Sequence, residues 1–262
     1  MSAHTEPNED RKEHPEPTAE ASEQPTAQAT GQPTAQAAGQ TGSATGPREG
    51  RQAAVLEAAA VLDWRLQTFA LYAEVRSAAE ASPPRAHALW RGKRDTMFAT
   101  HPSSALGETQ KAAFTGLPVA AYDPTYRFES TLTGEGAGET WDVRTGTDGV
   151  VPFVRLGTFE IPGIGALAAW QLSSYGGGIF LPFRDMTAGR EDGSYGAGRY
   201  LLDTIKGAYL GRTGARFILD FNFSYNPSCA YNEAWACPLP GPDNRLGAAI
   251  TAGEMFRPSA EQ

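Results

Sequence analysis

From about Arg51 the chain reads as helix. Val55, Ala59, Leu62, Leu66, Phe69 and Ala73 recur at spacings of three and four, while Leu56, Trp64, Leu71 and Val75 add apolar surface on other flanks. A stripe this wide predicts a helix that packs on more than one side. Ser82-Pro83-Pro84 interrupts it. Serine suits an N-cap and proline the first helical turn, so a second helix is predicted to run to about Thr100. It carries Leu89, Trp90, Met97 and Phe98, with Arg91, Lys93, Arg94 and Asp95 among them. Beyond Leu117-Pro118 the apolar period shortens to strand-like runs at 126–132, 139–143, 151–161, 167–173, 179–183, 199–205, 216–225 and 248–251, split by Gly, Pro and Asp. Strands in succession without intervening helices predict an antiparallel sheet. The expected fold is therefore α+β and mainly β: an antiparallel β-sandwich or partly open barrel preceded by two N-terminal helices. Helices over 51–100 and a β domain over 118–262 would form one globular domain, 51–262.

The densest stretch is Phe217 to Cys237. Phe217, Leu219, Phe221, Phe223 and Tyr225 alternate with Arg216, Ile218, Asp220, Asn222 and Ser224, the period of two that gives a strand unlike faces. Residues two apart on one face lie roughly 6.5 to 7 Å from each other. Asp220, Asn222 and Ser224 would thus form a polar row on a rigid element, ended by Asn226-Pro227 because proline cannot donate to a ladder.

The first fifty residues have another character. They contain no Val, Ile, Leu or aromatic residue, repeat Gln-Pro-Thr-Ala-Gln-Ala at Gln24 and Gln32, and carry minus 5 of the total charge of minus 8. Such a segment buries too little apolar area to offset chain entropy, and a disordered low-complexity tail is expected over 1–50. The remaining body is mildly acidic, which argues against nucleic acid as a partner. With no cationic start before an apolar stretch and no apolar run near twenty residues, neither export nor a membrane span is expected, and the address is cytoplasmic.

Chemistry-bearing residues are few. Cys229 and Cys237 can form a disulfide or stay as reduced thiols; no second Cys or His pair accompanies them, so no metal site is expected. His87 and His101 are the only histidines outside the tail, and His101, beside a proline just past a helix, suits a cap better than a general base. Gly163-Ile164-Gly165-Ala166-Leu167-Ala168 has the letters of a dinucleotide fingerprint with Asp185 downstream. No helix can follow it before Tyr175-Gly176-Gly177-Gly178, so a hairpin turn is predicted and no cofactor. Around Phe183 to Asp203, arginine, aspartate and tyrosine alternate with glycines. Arg184 and Arg199 can grip a carboxylate or phosphate while Tyr195 and Tyr200 orient it, or they can pair with Asp185, Asp203 or Asp220 and fasten loops.

Leu181-Pro182-Phe183-Arg184-Asp185, Gly198-Arg199-Tyr200, Asp220-Phe221-Asn222, Tyr225-Asn226-Pro227, Cys229-Ala230-Tyr231, Cys237-Pro238, Asn244 and Ala252-Gly253-Glu254 together resemble a bacterial family, domain of unknown function 1684. Trp90-Arg91, the segment 98–102, Phe114, Gly116-Leu117 and Tyr122 to Pro124 extend the resemblance, which covers roughly Leu62 to Glu254. It implies no established activity, cofactor or catalytic set. Family members that look exported share the cysteine pair, so the resemblance leaves the disulfide open. Ala197 and Asp243 depart from the family's glycine and glutamate.

Three readings follow. In the first, a β domain binds a small polar or anionic ligand through Arg184, Asp185, Tyr195, Arg199, Tyr200, Asn222 and Asn226. In the second, a cofactor-free hydrolase or isomerase uses Asp185 or Asp220 as base and Tyr195 or Tyr200 as acid. In the third, the domain is a scaffold that acts through its N-terminal helix, with a homodimer formed through residues 51–80.

Overall fold

The computed structural model of the protein describes residues 47–145 and 149–257. The tail expected over 1–50 lies outside the described residues up to position 46. Helix α1 spans Pro47–Ala81 and α2 spans Pro83–Thr100, the break falling at Ser82 as the sequence predicts. Ser82 takes the extended N-cap conformation but its side chain makes no cap bond; Pro83 and Pro84 open the helix. A short α3, Glu108–Ala112, was not foreseen. It is too brief to show a period.

Eight strands follow: β1 (Arg127–Thr133), β2 (Thr140–Thr145), β3 (Gly149–Ile161), β4 (Gly165–Leu172), β5 (Ile179–Phe183), β6 (Arg199–Asp203), β7 (Arg212–Thr213) and β8 (Arg216–Asp220). All pair antiparallel in one sheet of order β6-β5-β4-β3-β1-β8-β7, with β2 added on β3. The 13-residue β3 organises the sheet. One edge serves two partners in turn, β2 along 149–154 and β1 at Thr158 and Phe159, while β4 runs along the other edge. The register shifts between Arg155 and Gly157. Gly157 sits there at φ +148°, and a Cβ on it would collide with the Thr133 carbonyl oxygen. The Gly163 turn joins β3 to β4 as a hairpin, closed by Ile164 N–H on the Ile161 carbonyl at 3.0 Å.

The sheet curls but does not close. One isolated antiparallel pair spans the gap, Tyr200 of β6 and Tyr225 beyond β8, exchanging N–H···O bonds of 2.9 and 3.1 Å. This is the partly open barrel of the two expected alternatives. Its interior holds Phe159, Leu167, Leu181, Phe183, Leu201, Leu219 and Phe221. A second apolar cluster, around Phe153, Trp170 and Phe180, packs outside β3 to β5, and a third docks α1 and α2 through Leu71, Val75, Trp90 and Phe98 near Leu210 and Phe223.

Two strand expectations are corrected. The run 216–225 is a strand only to Asp220, whose carboxylate accepts the Asn222 N–H and turns the chain into a 3-10 turn, Phe221–Phe223. Asp220, Asn222 and Ser224 are therefore no displayed polar row; all three are completely buried. Residues 248–251 form no strand. The Ala248 carbonyl accepts the Met186 N–H, while the backbone of Ala249 and Ile250 bonds to the side chains of Tyr126, Asp185 and Arg199.

Candidate functional site

The sequence-predicted residues divide into two groups. Arg199 is completely buried. Its Nη2 donates to Asp185 Oδ2 at 2.9 Å and to the Ile250 carbonyl at 2.9 Å; its Nη1 donates to the Ala252 carbonyl at 2.6 Å and the Glu254 carbonyl at 3.1 Å. Asp185 also accepts from Thr187 N–H and Oγ1, Ser194 Oγ and Ile250 N–H. Burial alone would raise the Asp185 carboxyl, yet Arg199 and the Thr187 donors hold it below the usual carboxylate range. With this many bonds the pair fastens the C-terminal segment to the barrel.

Arg184 donates through Nε to the Gly196 carbonyl at 2.8 Å. Asn222 clamps Asp123, donating to its carbonyl and accepting its N–H, both at 2.8 Å. Tyr195 packs on Phe256 and bonds Cys229. His101 caps α2, accepting the Ser103 N–H on Nδ1, so that Nε2 carries the proton facing Asp63 at 3.0 Å. His87 is buried against Trp90 and Phe223, and burial lowers its pKa.

Tyr200 and Asn226 face elsewhere. Together with α1, α2 and the loop 225–235 they enclose a cavity of about 140 Å³ between the helices and the open side of the barrel. Trp64, Leu71, Tyr72, Met97 and Phe98 line its helical side; Tyr200, Tyr225, Pro227 and Ser228 line the other. Arg65, Lys206 and Trp235, all exposed, stand at the rim.

Arg94 reaches the cavity as part of a polar group that sequence reading did not assemble. Arg94 Nη1 sits 2.7 Å from Glu254 Oε2, both side chains buried. The Arg94 guanidinium is held over the rings of Trp90 at 4.6 Å, Phe98 at 5.3 Å and Tyr225 at 5.4 Å, an arrangement that favours a buried cation. Burial raises the Glu254 carboxyl and Arg94 opposes the rise. Asn226 Nδ2 donates to Glu254 Oε1 at 3.3 Å and to the Met255 carbonyl at 2.9 Å. Those two acceptors fix the amide orientation and leave Asn226 Oδ1, buried at the cavity, without a partner among the described residues. Tyr72, raised to about 12 by burial, accepts the Trp90 indole N–H at 3.1 Å.

One sequence signal could have found Arg94. Trp90, Arg94 and Phe98 are spaced by four, which puts the arginine on the apolar face of its helix. Glu254 had no such signal, since its partner lies 160 positions away in the chain.

A family model described as protein of unknown function (DUF1684) matches residues 112–255. The match includes Tyr200, Tyr225, Asn226 and Glu254 and stops short of Trp64 and Arg94. A solution NMR structure of an uncharacterized protein from Haloarcula marismortui is 34% identical in sequence, covering 63% of this chain and 89% of that one, with a TM-score of 0.45. No curated protein matches the chain.

Proposed function

Since the chain belongs to the DUF1684 family of proteins of unknown function, its role has to be argued from its own site, and we propose that it binds a small planar molecule, polar or anionic, between the helix pair and the barrel. The carrying observation is the buried Asn226 Oδ1, an acceptor without a partner among the described residues, on a side chain that lines an aromatic cavity. An unpaired buried acceptor costs about 1 to 3 kcal/mol, which a ligand N–H or O–H would relieve. The volume suits one ring, as cavities of about 150 Å³ take up benzene. Arg94 is already neutralised by Glu254, so an acidic substituent would be met by Arg65 and Lys206 at the rim. None of the lining residues is a carboxylate or a histidine, which supports recognition over acid–base chemistry.

Native mass spectrometry of gently purified protein, with thermal shift against benzoate and hydroxybenzoates, tests this. A one-to-one adduct or a rise in Tm is expected, and Trp235→Ala, a loop substitution, should weaken binding about tenfold, roughly 1.4 kcal/mol. Neither adduct nor shift at millimolar ligand would reject it.

A second reading rests on α1. Val55, Ala59, Leu62, Leu66, Phe69 and Ala73 alternate steps of four and three and are all exposed, while Trp64, Leu71, Tyr72 and Val75 turn inward. That seam has the heptad spacing of a coiled coil, and a second copy of α1 fits it. Two chains per particle by light scattering, returning to one in Leu62→Asp/Leu66→Asp, is the expected result; one chain throughout removes this reading.

A further inference from the structure

The ligand site leaves Cys229 and Cys237 unexplained. Cys229 lies in the 3-10 turn Ser228–Ala230, and its backbone N–H points at Cys237 Sγ across 3.4 Å. Both side chains are half-buried, so small reagents can reach them. The two thiols are also close enough to share a hydrogen bond. We infer that Cys229 and Cys237 form a thiol–disulfide exchange site, in which Cys237 attacks a low-molecular-weight disulfide and Cys229 resolves the mixed disulfide.

The surroundings assign the two roles. Cys237 Sγ is approached by the Cys229 thiol and backbone N–H and lies in the field of the Lys206 ammonium, while the Tyr200 hydroxyl donates to the Pro238 carbonyl at 2.7 Å. The Cys229 thiol, its backbone N–H and the Lys206 charge draw the Cys237 thiol below its ordinary value, despite burial. Cys229 is pushed up, first by its bond to Cys237 and then by burial, while the Tyr195 hydroxyl opposes. Glu233 and Asp203 are the acidic groups of this neighbourhood, acting on Tyr195 and Tyr200 respectively. A thiolate is the attacking species in exchange and the neutral partner waits.

The chemistry balances without further reagents. Cys237 thiolate attacks one sulfur of RSSR, forming the Cys237–SR bond and releasing RS⁻. Cys229 then loses its proton and attacks Cys237 Sγ, forming the protein disulfide and releasing the second RS⁻. The two thiols are oxidised and RSSR is reduced to two RSH.

Oxidised glutathione is the probe, used on the full chain at pH 6 and pH 9 with mass spectrometry. Wild type should lose two hydrogens, with one peptide linking Cys229 to Cys237 and little persistent adduct. Cys229→Ser, which keeps a donor toward Cys237, should stop at one glutathione on Cys237. By iodoacetamide at pH 6, Cys229→Ser should react several-fold faster than Cys237→Ser, the gap narrowing at pH 9 because an ordinary thiol of pKa about 8.5 is by then ionised. Stable glutathione adducts on wild type without loss of two hydrogens, or no reaction, would overturn the assignment without relying on either variant folding. Equal alkylation of both variants at pH 6, with unchanged circular dichroism, would overturn the roles.

Discussion

Two buried aspartates, Asp185 and Asp203, have unlike partners and titrate in opposite senses. Arg199 and Asp185 form a buried ion pair, and losing one partner of such a pair costs about 3 to 5 kcal/mol. Asp185→Asn should lower the unfolding free energy by that order in urea titrations at pH 7. Because the folded Asp185 carboxyl lies below its unfolded value, its contribution is present above about pH 3.9 and is lost as pH falls through the folded value. Asp203 behaves oppositely. Burial raises it, with Lys206 and the Tyr225 hydroxyl opposing, so its contribution is full below about pH 3.9 and declines as pH rises through the folded value. Asp203→Asn, which cannot ionise, should therefore compare better with wild type at pH 7 than at pH 4 in the same titrations. A difference that runs the other way would show that Asp203 is stabilised as the carboxylate.

At the scale of elements, the register of β3 depends on one glycine. Gly157 lets β3 shift register and pass from β2 to β1 without breaking from β4. A side chain at φ +148° against the Thr133 carbonyl would have to push β1 and β3 apart. Gly157→Ala should cost about 2 kcal/mol or more, seen as a lower Tm. Gly214→Ala is the control, since φ there is also positive, +60°, but nothing lies within 4 Å of the added carbon; it should cost less. The alternation along 126–132 and 151–161 was legible as strand because one face of each meets the core, and 179–183 because it is a short apolar run buried on both faces. The run 216–225 misled for a physical reason. Asp220 bonds the Asn222 backbone, and a local side-chain bond of this kind outcompetes ladder pairing and starts a turn.

For the whole molecule, the cavity joins parts of the chain that must be folded before it exists. Its walls come from α1, α2, β6 and the loop beyond β8, so a bound ligand ties the helix pair to the barrel. At a hundredfold excess over Kd, binding adds roughly 2.7 kcal/mol to stability. For a domain of this size that corresponds to a Tm rise of about 5 to 10 °C. Among the described residues no helix is long and apolar enough to cross a membrane.

The sequence by itself determined the two long helices, the succession of strands β1 to β6 and β8, and the antiparallel class, because these depend on local period and on punctuation by Pro and Gly. It also exposed the α1 seam, the hairpin at Gly163 and the cysteine pair, all of which are short-range features. Tertiary structure decided which polar residues meet. Arg184, Arg199 and Asn222 look like ligand-gripping residues in the chain, and the fold spends their hydrogen bonds on Gly196, the 250–254 carbonyls and Asp123. Arg94 looked ordinary and became part of the cavity lining, held from behind by the buried Glu254. A hydrogen bond is satisfied by whichever group folding brings within about 3 Å, and across such separations in the chain that choice is made by packing.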